Sequence, residues 1–360
     1  MKAIGIILAG GNNNRMKELT AKRAVPALPV AGSFRSIDFA LSSMSNSHIQ
    51  TVAVLTQYNA RSLNEHLSSS KWWNFGRKQG GLFLFTPTVT ADNSDWYRGT
   101  ADAMYQNIDF LKRRHEPYVI ISSGDCVYKL DFNRVLDFHI EKKSDITVVC
   151  KDMMYDDVSR FGVVRMDDES RITEFDEKPI EALSNTISTG IYVIRRRQLI
   201  ELLEAAAEEN RFDFVNDILV RYKNVKKIYG YKINSYWNNI ADIDAYFKTN
   251  MDFLRPDVRS YFFREEPTIC SKVDDLPPAK FNPGSDISNS LVSSGCIING
   301  SVEDSVLFKQ VFVGKNTTVK NCVILNDVYI GDNVHLENCI VESRGTINPN
   351  TCYCGEDGVM

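Results

Sequence analysis

The sequence predicts an α/β domain built on an open parallel sheet, followed by a smaller parallel β-helix. Three observations carry that prediction. The apolar run Ala3 to Leu8 reads as a buried parallel strand and breaks abruptly into Gly10-Gly11-Asn12-Asn13-Asn14-Arg15. Runs of the same texture recur at Thr51 to Thr56 and Tyr118 to Ser122, with helical segments between and after them. Towards the end, apolar residues return every sixth place: Leu307, Val313, Val319 and Leu325 in one row, Ile324, Ile330 and Leu336 in another. Short strands at that period indicate a parallel β-helix of hexapeptide type. A β-sandwich would show two-residue alternation and longer spacing.

Composition narrows the functional classes. A chain of 360 residues, 43% hydrophobic, can bury a large core and has room for two. The net charge of −4 leaves no nucleic-acid footprint, and the basic run Arg195-Arg196-Arg197 is local, suited to a helix start. No apolar segment is long enough to span a bilayer, so no membrane association is expected. Met1-Lys2-Ala3 runs straight into a strand, which is unlike a signal peptide. The eight cysteines are therefore expected to be reduced thiols of a cytoplasmic protein. Cys352 and Cys354 are too close together and too isolated to form a zinc site by themselves.

Taken in order, the first turn is rich in residues that tolerate left-handed backbone angles. Such a turn can aim successive N–H groups at a phosphate, and Arg15 would add a fork of donors. A polar turn with nothing bound is the plainer alternative. A helix is expected over Arg61 to Leu67. The stretch Ser68 to Asn93 has little periodicity and suits a lid or a small hairpin at Gly81 to Thr86. Gly99 and Thr100 look like a turn and cap opening a helix that runs to about Arg114, whose first N–H groups would face a ligand. The strand ending at Ser122 leads into Gly124-Asp125. A carboxylate at the carboxyl end of a parallel strand lies at the ligand crevice, where it can hold magnesium through oxygen or simply cap a helix.

Further on, Phe132 to Lys143 reads as a helix, with strands at Asp145 to Cys150 and Phe161 to Val164. Glu177-Lys178-Pro179 would be a surface turn in isolation. Between two strands, its glutamate can bind sugar hydroxyls and its lysine a phosphate. Helices are expected over Arg195 to Asn210 and Phe212 to Tyr222. Residues 256–285 form a Pro-rich connector in which little regular structure should persist. The expected divisions are thus residues 1–255, the connector 256–285, and the β-helix 286–360.

Several of these stretches together resemble one family. Leu19-Thr20-Ala21-Lys22-Arg23-Ala24-Val25-Pro26-Ala27, Phe34 to Ser42, Gly99-Thr100-Ala101-Asp102-Ala103, Glu177-Lys178-Pro179 and Ser235 to Tyr246 look like the signature of the sugar-nucleotide pyrophosphorylases, in the ADP-glucose pyrophosphorylase branch. The resemblance implies a Rossmann-like nucleotidyltransferase domain with a C-terminal left-handed parallel β-helix. It also implies adenylyl transfer from ATP to glucose-1-phosphate, giving ADP-glucose and pyrophosphate, with Mg2+ as cofactor. Carried over residue by residue, it places nucleotide contacts at Gly10, Gly11, Arg15, Gly99 and Thr100. Sugar-phosphate contacts fall at Tyr97, Gly162, Glu177, Lys178 and Ser188, and catalytic roles on Arg15 and Asp125, with Asp125 as the metal ligand. Lys22 and Arg23 match basic positions that bear on effector binding.

Five positions depart from the family pattern. Asn13 stands for the third loop glycine, Val25 for a lysine that contacts the nucleotide phosphates, and Asn239 for the aspartate that is the second magnesium ligand. Asn238 and Ala241 also replace an arginine and a glycine. The losses fall on the nucleotide and metal side, while the sugar-phosphate positions are intact. The pattern is most similar to the GlgD-type subunit, the partner of a catalytic GlgC-type subunit in a heterotetramer of glycogen biosynthesis. That similarity implies weak or absent turnover alone, retained binding of ATP, glucose-1-phosphate or ADP-glucose, and a β-helix serving oligomerisation and regulation. Two alternatives stay open: a fully active adenylyltransferase, and a β-helix acyltransferase with His335 as its one candidate base.

Overall fold

The computed structural model describes residues 2–11, 14–76, 80–88, 96–153, 158–355 and 359. Asn13 lies outside them. The N-terminal part is organised on one nine-stranded sheet. Its strands, in chain order, are β1 (Ala3–Leu8), β2 (Thr51–Leu55), β3 (Gly81–Phe85), β4 (Tyr118–Ser123), β5 (Ile146–Asp152), β6 (Gly162–Met166), β7 (Ile172–Glu177), β8 (Thr186–Arg195) and β9 (Ile228–Lys232). The spatial order is β7-β6-β8-β4-β1-β2-β3, with β5 also pairing β8 and β9 pairing β5. The segment β4-β1-β2-β3 is wholly parallel. Both of its faces are covered: Ile4 and Ile6 of β1 pack in one apolar layer, Ala3 and Ile7 in the other. Burial on both faces is why these strands read as unbroken apolar runs.

The helices are α1 (Ser36–Asn46), α2 (Arg61–Leu67), α3 (Thr100–Gln106), α4 (Ile108–Lys112), α5 (Phe132–Glu141), α6 (Arg196–Glu208), α7 (Ile243–Asp252) and α8 (Pro256–Phe263). The start of α1 uses part of the motif block structurally. Arg35 N–H donates to Asp38 Oδ2 at 2.8 Å, and the other Asp38 oxygen meets His66 Nε2 at 2.6 Å in a buried contact to α2. Those polar residues hold one helix end and clamp it to the next.

Four expectations are corrected. Gly81–Phe85 is no hairpin: it adds to the sheet edge in parallel with β2, a pairing between strands about 30 residues apart that local pattern does not show. The helix expected to run to Arg114 breaks at Asn107, whose side chain turns back to the Ala103 carbonyl and to the Tyr97 hydroxyl, 2.9 Å each. The segment expected as a helix over Phe212 to Tyr222 forms its regular turn as a π-helix at Val215–Val220. The Pro-rich stretch is partly ordered. Pro256 opens α8 at a first-turn position, where its missing N–H costs no bond.

The C-terminal part is a parallel β-helix of three sheets with five, five and four short strands. Val302, Val319, Leu336 and Tyr353 stack in one sheet at 17-residue steps. Each such coil is two six-residue sides and one of five, and the earlier coil from Ile287 to Val302 is shorter still. The two apolar rows of the sequence are therefore one. Leu307, Val313 and Val319 continue directly into Ile324, Ile330 and Leu336, all inside the solenoid. Leu325 instead faces outward, joining Val306, Phe308 and Val323 against Phe253 and Phe262 of the α7–α8 region. That shared core joins the two halves. Corner residues Asn316, Asn321, Asn333, Asn338 and Asn350 adopt positive φ, and their amides bond along the stack.

Among the described residues all eight cysteines are free. No helix among them is long and apolar enough to cross a membrane.

Candidate functional site

The carboxyl ends of β1, β2 and β4 open into one cleft of about 660 Å³. Backbone bonds fix its floor: Ala9 N–H donates to the Leu55 carbonyl at 2.8 Å and Gly124 N–H to the Leu8 carbonyl at 3.0 Å. This is where an open α/β sheet places its ligand. Gly10, Gly11 and Arg15 line one wall, Tyr97, Gly99 and Thr100 a second, and Asp125, Val25, Lys178 and Asn239 complete it. The predicted nucleotide and metal positions thus converge in space.

Gly99 has a specific reason to be glycine. A Cβ there would lie 2.3 Å from the Phe212 carbonyl oxygen, in an extended backbone that any residue could otherwise adopt. The same oxygen accepts from the amides of Ala101 at 2.8 Å and Asp102 at 3.2 Å. The second and third amides of α3 are therefore spent inside the protein rather than presented to a ligand, although Gly99 and Thr100 line the cleft. Tyr97 is pinned by Gln57, which accepts from its N–H at 2.9 Å and donates to its carbonyl at 3.3 Å.

Of the sugar-phosphate candidates, Tyr97 and Lys178 line the cleft, and Glu177 adjoins it through its ion pair with Lys178. A Cβ on Gly162 would lie 2.8 Å from Glu177 Oε2 and 3.0 Å from the Phe175 ring, so this glycine makes room for the carboxylate. Burial pushes the Glu177 carboxyl above its usual range, against the pull of the Lys178 ammonium 3.5 Å away. Lys178 itself has φ of 50° and anchors its N–H on the Phe161 carbonyl. Ser188 is buried and bonds to the Tyr192 hydroxyl at 3.3 Å. Lys22 is exposed. Arg23 pairs with Glu342 and reaches Ser343 at 3.3 Å, both on the β-helix, so it bridges the two halves outside the cleft.

Asp125 immediately precedes one strand of a small antiparallel ribbon, Cys126–Tyr128, and Asn239 ends the other, Trp237–Asn239. Asp125 accepts from the Ser123 hydroxyl at 2.5 Å and from the Cys126 thiol at 3.4 Å. Burial holds the Cys126 thiol protonated, well above its ordinary pKa, and its sulfur takes the Asn239 amide at 3.3 Å. Among the described residues lining the cleft, Asp125 is the sole carboxylate, beside the cationic side chains of Arg15, Arg98, Arg160 and Lys178. Four cations about one cleft suit a polyphosphate, which would share three of them with the carboxylates of Asp102, Asp242 and Glu177. One carboxylate with a neighbouring amide fits magnesium held largely by substrate phosphates, as that ion commonly is. Val25 is 5% exposed and belongs to the core shared with the β-helix.

Sequence reasoning missed Gln57, Arg98 and Arg160. Arg98 stacks on the Phe212 ring, 3.9 Å from its centroid, and pairs with Asp102 at 3.3 Å. Arg160 forms an ion pair with Asp242 at the cleft edge. Their separation of 82 residues leaves no local signal.

The sheet and its crevice define an α/β nucleotide-handling domain joined to a solenoid, and comparison with known proteins specifies the class. Residues 4–255 match the family described as nucleotidyl transferase, and residues 277–359 that described as GlmU-like, C-terminal hexapeptide. The chain is 39% identical over 359 residues to the glucose-1-phosphate adenylyltransferase of Geobacillus stearothermophilus, covering 99% of this chain and 93% of that one. It is 38% identical to the enzyme of that name from Clostridium novyi and 40% to that from Clostridium beijerinckii, each over 88% of this chain and more than four-fifths of theirs. The chain belongs to the glucose-1-phosphate adenylyltransferase family.

Proposed function

We propose that this chain is a catalytically weak, regulatory subunit of glucose-1-phosphate adenylyltransferase, acting beside a catalytic GlgC-type subunit in a mixed tetramer. The observation that carries the reading is that Val25 and Asn239 both line the cleft. Where the family pattern carries a lysine and an aspartate, this cleft has a buried aliphatic side chain and an amide turned to a protonated thiol.

Adenylyl transfer needs no protein nucleophile. The sugar phosphate oxygen attacks the α-phosphorus in line, and the protein aligns the groups and neutralises their charge. Here Arg15 and the turn at Gly10-Gly11 would hold nucleotide phosphates, and Lys178 the sugar phosphate, with Glu177 on sugar hydroxyls. Magnesium, held by Asp125 with weaker help from Asn239, would supply further neutralisation of the phosphates when bound. A missing cation and a missing carboxylate lower the stabilisation of the transition state more than they lower ground-state binding. The chain therefore retains ligand binding and loses rate.

The retained cleft, with Asp125 and its cationic rim, favours one rival: an adenylyltransferase competent by itself. Pyrophosphate release from ATP, magnesium and glucose-1-phosphate separates the two. The regulatory reading expects little release from the purified chain and a changed rate or effector response when a catalytic subunit is added. Robust release from the chain alone overturns it.

A further inference from the structure

The final coil of the solenoid brings together side chains that the sequence keeps apart. The strand His335–Glu337 pairs in parallel with Cys352–Cys354, so that His335 lies beside Cys352 and Glu337 beside Cys354. Leu336 between them is 1% exposed and points into the solenoid. Strand alternation then turns His335 and Glu337, and with them Cys352 and Cys354, to the outer face. Donor atoms of His335, Glu337 and Cys354 all lie within 4.8 Å of one another. His335 Nε2 is 3.5 Å from Glu337 Oε2, and Cys352 Sγ is 3.6 Å from Cys354 Sγ.

Two of these separations, His335 to Glu337 and Cys352 to Cys354, match edges of a zinc tetrahedron, and Cys352 adjoins the three-residue cluster through Cys354. Zinc–sulfur bonds of about 2.3 Å put two thiolates about 3.8 Å apart, and zinc–nitrogen and zinc–oxygen bonds of about 2.0 Å give an edge of about 3.3 Å. Both observed pairs are within a few tenths of an ångström. We infer that His335, Glu337, Cys352 and Cys354 form a structural zinc(II) site that ties the last coil to the one before it. Two thiolates and an imidazole select zinc over the hard magnesium ion expected in the cleft. On binding, the two thiol protons pass to solvent while the imidazole stays neutral and the carboxylate is already ionised, so no redox partner is required.

The position has a physical rationale. Cys352–Cys354 is the edge strand of its sheet, and Tyr353 remains 43% exposed where its predecessors Val319 and Leu336 are buried. Among the described residues no further coil covers this one, so it lacks the second neighbour that buries an inner coil. A metal cross-link across the last ladder supplies stability that packing does not. The cysteine pair looks isolated in the sequence because its partners arrive by coil length, one 17-residue turn earlier, rather than by a finger-like spacing.

The test is titration of the full chain, freshly reduced and stripped of metal, with cobalt(II) under argon. One equivalent should bring up visible d–d bands of a tetrahedral ion and a near-ultraviolet thiolate-to-cobalt band, both bleached by zinc(II). The double variant Cys352→Ser with Cys354→Ser should lose the thiolate band, while Cys270→Ser, removing the other exposed cysteine, should keep it. His335→Gln should weaken binding at least about tenfold with its circular dichroism unchanged. Absence of the thiolate band in the reduced chain overturns the proposal. So does a band that survives the double variant, or an intact mass showing that the pair closes to a disulfide in the presence of zinc.

Discussion

The side-chain amide of Asn239 donates to the Cys126 sulfur 3.3 Å away, and that thiol faces Asp125 Oδ1 at 3.4 Å. Three side chains are thereby linked across a two-stranded ribbon at the edge of the cleft. The amide is committed to a neutral, buried sulfur, which leaves Asp125 without a second carboxylate to share a divalent ion. Val25, which lines the same cleft, is committed to the core between the two halves.

Restoring both charges should restore rate. Val25→Lys combined with Asn239→Asp is expected to raise pyrophosphate release from the isolated chain by about a hundredfold, the scale on which a single transition-state charge contact acts. The lysine stem can lie along the apolar wall while its ammonium reaches the cleft. Steady-state assays, with thermal melting as a control for folding, read the result. No gain in a well-folded variant would trace the deficit to other positions.

Gly162→Ala should disturb the sugar-phosphate side alone. The new methyl would press on Glu177 and on the less yielding Phe175 ring, displacing the carboxylate. Calorimetry with glucose-1-phosphate should show affinity lowered about tenfold, a loss of about 1.4 kcal/mol, with ATP affinity unchanged. Equal binding by variant and wild type would remove Glu177 from the sugar pocket.

Stability should fall in mild acid because of His139. Its ring is 1% exposed and hydrogen-bonded to Thr147 at 2.8 Å, and burial, helped by the charge of Arg195, lowers its pKa from 6.5 to about 4. Between those values the unfolded chain binds a proton that the folded chain refuses. Stability therefore rises with pH across this window and is lost as pH falls from about 6.5 towards 4, by about 3 kcal/mol in all. Urea melts of wild type and His139→Asn at pH 7 and pH 5 check this. The variant should show a visibly flatter dependence, and parallel curves would reject the assignment.

Arg23 is the effector candidate that the structure finds already paired. Glu342 occupies its guanidinium, so an anion arriving there must compete with a carboxylate from the β-helix. Glu342→Gln should raise the affinity for inorganic phosphate about threefold, in keeping with a partly exposed ion pair. Titration followed by calorimetry reads it, and an unchanged affinity would move the effector site away from Arg23.

What the sequence revealed follows from what its pattern can encode. Parallel strands buried on both faces leave continuous apolar runs, so β1, β2 and β4 were legible, and with them the crevice at Gly10, Gly11 and Asp125. The pairing of Gly81–Phe85 was not, since an edge strand carries no mark of its distant neighbour. The solenoid was legible as a period, but a five-residue side in each 17-residue coil split one apolar row into two and drew Leu325 into the wrong one. In the site, single residues such as Val25 and Asn239 stood out against the resembled pattern. The Arg160–Asp242 pair and the engaged amides of α3 arise only once distant segments meet.

The corner asparagines bond to partners one full circuit away, as Asn333 does to Asn350 and Asn321 to Asn338. The solenoid can thus be lengthened or trimmed only by whole circuits, each shifting its far end by about 4.8 Å, the distance between neighbouring strands. A residue lost from one side must be absorbed within its own circuit, as in the shorter circuit from Ile287 to Val302. Evolution could adjust the reach of this half towards a neighbouring molecule in discrete increments, without altering a single contact around the cleft.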